Sequence, residues 1–316
     1  MEEITRSTRR IEAGMPDLSV RLASGIILES PLILASGILD ENGYSIKRIL
    51  QEGAAAAVTK SIGIQERAGY KPPVVVDLGD TGILNAVGLS NPGIDDYHNE
   101  MKIALQAGKP IIGSIFGATV DEFLQLAVKM ESYGASAVEL NLSCPHVKGV
   151  GTEVGSDFPL VEEIIASLKR RLSIPVYAKL SPNLTDVVEA ARACSKADGV
   201  VLINTIRAMS IDIHAKKPVL SNYYGGLSGP AIRPVGVRLV YQVKRETGME
   251  IIGVGGIENG GDAIEYMMAG ASAVQIGTAV RKYGRSVFMK IKDEIHSFME
   301  REGYSRIEDI VGAALP

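Results

Sequence analysis

Two lysines and one cysteine stand where apolar stretches of the chain give out. Lys60 closes A-A-A-V-T-K-S, Lys179 lies in P-V-Y-A-K-L-S-P, and Cys144 follows A-V-E-L-N-L-S. A lysine at the end of a buried strand is costly unless its ammonium is paired or meets an anionic ligand. Snorkelling to a rim is the plainer account, but two lysines in equivalent positions point to a site. On that reasoning, removing Lys179 should cost function more than stability. A free cysteine is ordinarily a small buried hydrophobe. Cys144 differs in its company: Asn141 and Ser143 precede it and Pro145 breaks the chain into a loop. Its type leaves it open as a nucleophile, a general base or a metal ligand. No second Cys and no H-x-x-x-H spacing accompany it, which argues against a metal. Cys194 falls on the apolar side of a helical pattern with Val187 and Ala191 and reads as core.

These residues need elements to position them. Short runs rich in Val, Ile and Ala occupy residues 31–37, 55–61, 110–117, 137–144, 175–182, 199–205, 250–257 and 273–280. Near-continuous apolar runs suit strands buried on both faces of a parallel sheet. Between them lie helical patterns: 120–133, stopped by Gly134; 185–196, with Thr185 or its predecessors as cap; 261–269; and 285–301. Eight strands alternating with helices predict an α/β fold, a closed (β/α)8 TIM barrel. A minimal unit takes about 25–30 residues, so two intervals of about 50 carry insertions. These are residues 62–92 after the second strand and 206–230 after the sixth, both on the face that carries barrel active sites. Their Gly, Pro and Asn content suits loops or small hairpins. Residues 18–23 and 26–29 flank Ser24-Gly25 and read as an N-terminal hairpin plugging the barrel floor. The whole chain, 1–316, reads as one domain.

The polar residues and glycines now fall together at the strand ends. Ser36 and Gly37 end the first strand, Lys60 and Ser61 the second, and Asn141, Ser143 and Cys144 the fourth. Lys179 and Ser181 end the fifth, Asn204 and Thr205 the sixth, Gly255 and Gly256 the seventh, and Gly277 and Thr278 the eighth. The loops after strands seven and eight are the usual phosphate site of this fold. Glycines there let backbone N–H groups approach phosphate oxygens. A ligand with a phosphate tail is therefore expected.

Composition removes other classes. The 316 residues are 46% hydrophobic and 22% charged, an ordinary globular balance. With 33 Lys and Arg against 37 Asp and Glu, the net charge is −4. No basic excess offers a footprint for nucleic acid. Two cysteines make no disulfide framework, and the expected location is cytoplasmic. The first residues are charged and lack the apolar core of a signal peptide. No apolar run approaches the roughly 18–20 residues of a membrane span.

Taken in order, the motifs resemble the class 1 dihydroorotate dehydrogenases, most closely class 1B. The resemblance runs from about Leu18 to Thr278. It is carried by Ala35-Ser36-Gly37, Lys60, the stretch from Gly82 to Gly93, Asn141-Leu142-Ser143-Cys144-Pro145, Lys179-Leu180-Ser181-Pro182 and Ile203-Asn204-Thr205. It continues through Gly225 to Ile232, Gly255-Gly256-Ile257 and Gly277-Thr278. That family is an FMN-containing barrel that oxidises dihydroorotate to orotate in pyrimidine synthesis. The resemblance implies that Cys144 is the base taking the C5 proton while the C6 hydride goes to the flavin. It implies an FMN site of Ser36, Lys60, Ser61, Asn141, Lys179, Ile203, Gly229, Gly255, Gly256, Gly277 and Thr278. The pyrimidine would meet Lys60, Asn85, Ala86, Val87, Gly88, Leu89, Asn141, Asn204 and Thr205. Two positions depart from the family: Ser114 where Asn is frequent near the flavin, and His146 where Asn is common. Class 1B also implies a partner subunit carrying FAD and an iron-sulfur cluster, with this chain forming a homodimer core within a heterotetramer. The chain has no cluster-type Cys spacing and no G-x-G-x-x-G opening a Rossmann unit. Alternatives are a class 1A enzyme using fumarate, and a non-redox phosphate-binding lyase or aldolase with Lys60 or Lys179 as Schiff-base amine.

Overall fold

The computed structural model describes residues 15–143 and 151–316. Eight parallel strands close into a barrel in strict chain order. They are β1 (Leu32–Leu34), β2 (Ala56–Val58), β3 (Ile111–Ile115), β4 (Ala137–Asn141), β5 (Val176–Lys179), β6 (Gly199–Leu202), β7 (Ile251–Val254) and β8 (Ala273–Ile276). Each falls inside the corresponding apolar run. β8 returns to β1 through Gln275↔Ile33 and closes the ring. Almost every strand residue is buried, because helices cover the outer face while side chains fill the interior.

Several helices begin where a side chain satisfies free N–H groups. Thr119 caps Val120–Ser132 by accepting from Glu122 N–H, and Gly134, at φ 93°, turns the chain out behind it. The helix expected at 185–196 is shorter, Val187–Ala193. Its cap is Asp186, which accepts from Val188 and Glu189 N–H, so Thr185 lies outside it. A carboxylate there also meets the positive end of the helix dipole. Cys194 is the residue closing this helix and is fully buried.

The floor is closed by the hairpin Val20–Arg21 and Ile27–Leu28. Its turn is tied to the barrel: Ala23 N–H donates to Glu250, Ser24 Oγ lies 2.9 Å from Tyr177 OH, and Tyr177 OH donates to Glu250 Oε1 at 2.8 Å. Burial, partly offset by these donors, raises the Glu250 carboxyl above its ordinary value.

At the other end each insertion forms a hairpin, Val75–Asp77 with Ile83–Asn85 in the first and Ile211–Asp212 with Lys217–Pro218 in the second, and the two insertions are also joined. They share one antiparallel sheet, in the order Ile206–Ala208, Gly225–Ser228, Ile83–Asn85, Val75–Asp77. Asn85 pairs with Gly226 across the insertions, and a small core of Leu84, Ala86 and Leu220 packs beneath. Pairing gives each insertion the partner strands that an isolated hairpin lacks.

Candidate active site

A cavity of about 280 Å³ opens at the C-terminal ends of the strands, roofed by the four-stranded sheet. That size sits at the small end of ligand pockets. Ser36, Lys60, Ser61, Asn141 and Lys179 line it, with Ile203, Asn204 and Thr205 from the end of β6. Gly229, Gly255, Gly256, Gly277 and Thr278 form the glycine-rich wall. Asn85, Val87, Gly88 and Leu89 come down from the sheet. Thus nearly all the residues proposed from sequence converge on one mouth.

Ala86 does not. Its side chain is buried in the small core between the insertions, and its N–H donates to Val74 O at 2.8 Å. Strand alternation turns Asn85 and Val87 to the cavity and the residue between them away. Cys144 and His146 lie outside the described residues.

One wall is a chain of hydroxyls and amides. Ser36 Oγ lies 3.5 Å from Ser61 Oγ, and Asn141 Nδ2 donates to Ser61 Oγ at 3.0 Å. Ser143 Oγ donates to Asn141 Oδ1 at 3.0 Å and accepts from Asn204 Nδ2 at 2.6 Å. Each side chain is oriented by the next, so the faces shown to the cavity are fixed before anything binds. Ser114 belongs behind this wall. It is fully buried, 2.8 Å from Ser61 Oγ, and orients that hydroxyl without reaching the cavity.

The glycine wall is bare backbone by necessity. Gly256 has φ 72°, and a Cβ there would lie 2.6 Å from Gly229 O and 2.9 Å from Arg233 Cβ. Gly229 and Gly255 also have positive φ, at 114° and 129°. Beside them begins the helix Arg233–Thr247. Exposed N–H groups near a helix start suit an anionic tail.

Lys179 is 6% exposed and is paired. Its ammonium donates to Gln275 Oε1 at 3.2 Å and lies 3.3 Å from Glu139 Oε1. This overturns the expectation that its loss is structurally cheap: removing it strands a carboxylate with no exposure at all. Glu139 lines the cavity and was not anticipated, nor were Val75, Ile83, Ile232 and Val254. The signal for Glu139 was a lone charge in A-V-E-L-N, two residues before Asn141 and therefore on the same strand face. Asp40 is a second buried carboxylate. One oxygen accepts from Gly37 N–H, and the other, Oδ1, has no hydrogen-bond partner. Burial pushes it up to about 6, against the opposing pull of that N–H and of the Lys60 charge.

A family model described as dihydroorotate dehydrogenase matches residues 18–299. The chain belongs to the dihydroorotate dehydrogenase family. A Thermoplasma volcanium protein, "Dihydroorotate dehydrogenase B (NAD(+)), catalytic subunit", is 60% identical over 301 residues, covering 95% of this chain and 99% of that protein. Proteins of the same description from Methanocaldococcus jannaschii and Pyrococcus furiosus are 48% and 47% identical, each covering 92% of this chain and 96% of their own length. Dihydroorotate dehydrogenases are oxidoreductases, so the lyase or aldolase alternative falls. Among the described residues no cluster of His, Cys, Asp and Glu could hold a metal, and no helix is long and apolar enough to cross a membrane.

Proposed function

We propose that the chain is the catalytic subunit of a class 1B enzyme, oxidising dihydroorotate to orotate over FMN at the barrel mouth. The observation that carries this reading is the convergence of bare glycine backbone, a buried ammonium and an amide-lined wall on one cavity. The fit to FMN rests on Gly256, whose Cβ position is taken by Gly229 O, and on Lys179 at the cavity floor. Gly229, Gly255, Gly256, Gly277 and Thr278 would hold the phosphate, while Ser36, Ser61, Asn141, Lys179 and Ile203 would meet the rest of the cofactor. When bound, FMN supplies the two-electron acceptor.

The protein's own groups do the remainder. Lys60 offers charge to the substrate carboxylate. Asn85, Asn141 and Asn204 offer both donors and acceptors, which suits the alternating edge of a pyrimidine. Cys144 takes the C5 proton; a thiol with an ordinary pKa of about 8.5 accepts a proton near neutrality with little tuning. Asn204 and Asn141, which line the cavity, hold the buried Ser143, the residue before it.

Electrons leave through a partner subunit carrying FAD and an iron-sulfur cluster, which reduces NAD. The relatives' description as NAD(+)-linked catalytic subunits supports this. So does the wording Leu227-Ser228-Gly229-Pro230 and Asn85-Ala86-Val87-Gly88, which is closer to class 1B than 1A. The test is purification with and without a co-expressed partner subunit. Flavin colour in both, with dihydroorotate-dependent NAD reduction only in the complex, is expected. A lone chain that turns over rapidly with fumarate would refute the class 1B assignment.

A further inference from the structure

Beneath Lys179 lie two polar side chains with no role assigned above. Glu139 sits mid-way along β4 and Gln275 on β8, strands on opposite sides of the ring. Their side chains meet inside the barrel, where Gln275 Nε2 donates to Glu139 Oε2 at 2.7 Å. Gln275 Oε1 accepts from Lys179 Nζ at 3.2 Å, and Glu139 Oε1 lies 3.3 Å from the same ammonium. Neither Glu139 nor Gln275 has any exposure. Glu139 Oε1 has no hydrogen-bond partner, and the residue lines the cavity floor.

Packing does not require this arrangement. Apolar residues of similar volume fill a barrel interior at least as stably as a buried ion pair. An ammonium has three donors. Gln275 takes one, and the contact with Glu139 Oε1 is an ion pair without a hydrogen bond, which leaves donors for whatever occupies the cavity. Charge in such a water-poor place acts strongly on its neighbours.

We infer that Glu139 is a positioning residue that acts through Lys179: it pins the ammonium and cancels its charge, and so sets how readily the bound flavin takes up electrons. This rests on the FMN reading given above. With Glu139 present, the cluster is neutral and Lys179 serves as a directed hydrogen-bond donor. Without it, the cluster carries one positive charge beneath a ring that becomes more negative on reduction, and reduction is favoured.

The test compares the holoenzyme with Glu139→Gln and Glu139→Asp at saturating FMN, reading the midpoint potential of the bound flavin against reference dyes. Glu139→Gln should move the reduction equilibrium toward reduced flavin by about tenfold, or about 30 mV for a two-electron couple. Glu139→Asp keeps the charge and should stay within about twofold of wild type, roughly 10 mV. A Glu139→Gln protein that keeps FMN at the wild-type potential overturns the inference. Should that variant not fold, Lys179→Met and Lys179→Met/Glu139→Gln replace it. With the ammonium gone, the Glu139→Gln exchange should change the reduction equilibrium by less than about twofold, roughly 10 mV, because Glu139 acts through Lys179; a tenfold change between these two proteins overturns the inference. A wild-type chain that binds no FMN would defeat the functional reading instead, so the two failures are distinguishable.

Discussion

Asp40 gives the apoprotein a pH dependence whose sign follows from its surroundings. Its folded pKa, about 6, lies above the ordinary 3.8 because burial penalises the charge more than Gly37 N–H and Lys60 favour it. Between these two values the folded chain holds a proton that the unfolded chain has released. Stability from this group is therefore complete below about pH 4 and is lost as pH rises through 6. Well above pH 6 the whole loss amounts to about 3 kcal/mol. Asp40→Asn removes the titration, keeps a carbonyl to accept from Gly37 N–H, and puts an amide where Oδ1 stands without a partner. Urea or thermal melts of the two apoproteins at pH 4.5 and 7.5 read the effect as a difference, in which the other titrating groups cancel. Wild type should lose about 2 kcal/mol relative to Asp40→Asn across that range, the first part of the loss having occurred below pH 4.5, or roughly 3 °C in Tm at about 2.1 cal/mol/K per residue. Parallel stability curves would show that Asp40 titrates normally and that its burial carries no electrostatic penalty.

Cys144→Ser should lose about 10²–10⁴ in the rate of flavin reduction by dihydroorotate at pH 7, keep its FMN, and recover in part toward pH 10. Rapid-mixing rates at several pH values check this, and a wild-type rate at pH 7 would remove Cys144 as the base. Cys194→Ser should leave turnover unchanged, since the thiol is fully buried and pushed up to about 12, far from the thiolate form. Steady-state rates of the variant decide it. Gly256→Ala should weaken FMN binding by at least about 10-fold, because a positive φ costs an alanine about 1–2 kcal/mol and its Cβ meets Gly229 O at 2.6 Å. Equilibrium dialysis measures the change; unaltered affinity would mean that this wall does not hold the cofactor.

The barrel was legible because each of its strands is buried on both faces and so stays apolar along its length, from residues 31–37 to 273–280. The site was legible where a polar residue or glycine ended such a run. The pairing of Glu139 with Gln275 was not: each stands out as a single polar residue inside an apolar run, but only the closed ring brings β4 opposite β8. The shared sheet of the insertions was hidden for a related reason. Asn85 and Gly226 pair across 141 residues of chain, and no local period records such a partner. Ala86 was a different case: period-two alternation already placed it opposite Asn85 and Val87. The cap at Asp186 rather than Thr185 is a one-residue shift, decided by which side chain reaches the free N–H groups.

The central claim is that this cavity holds FMN and passes electrons to it from dihydroorotate. Anaerobic titration of the purified, FMN-loaded chain with dihydroorotate tests it directly, following the visible flavin absorbance and the orotate formed. Bleaching of the flavin band with one orotate produced per flavin reduced is the predicted result. A chain that binds no FMN on reconstitution, or one whose bound flavin stays oxidised in excess dihydroorotate, would contradict the account.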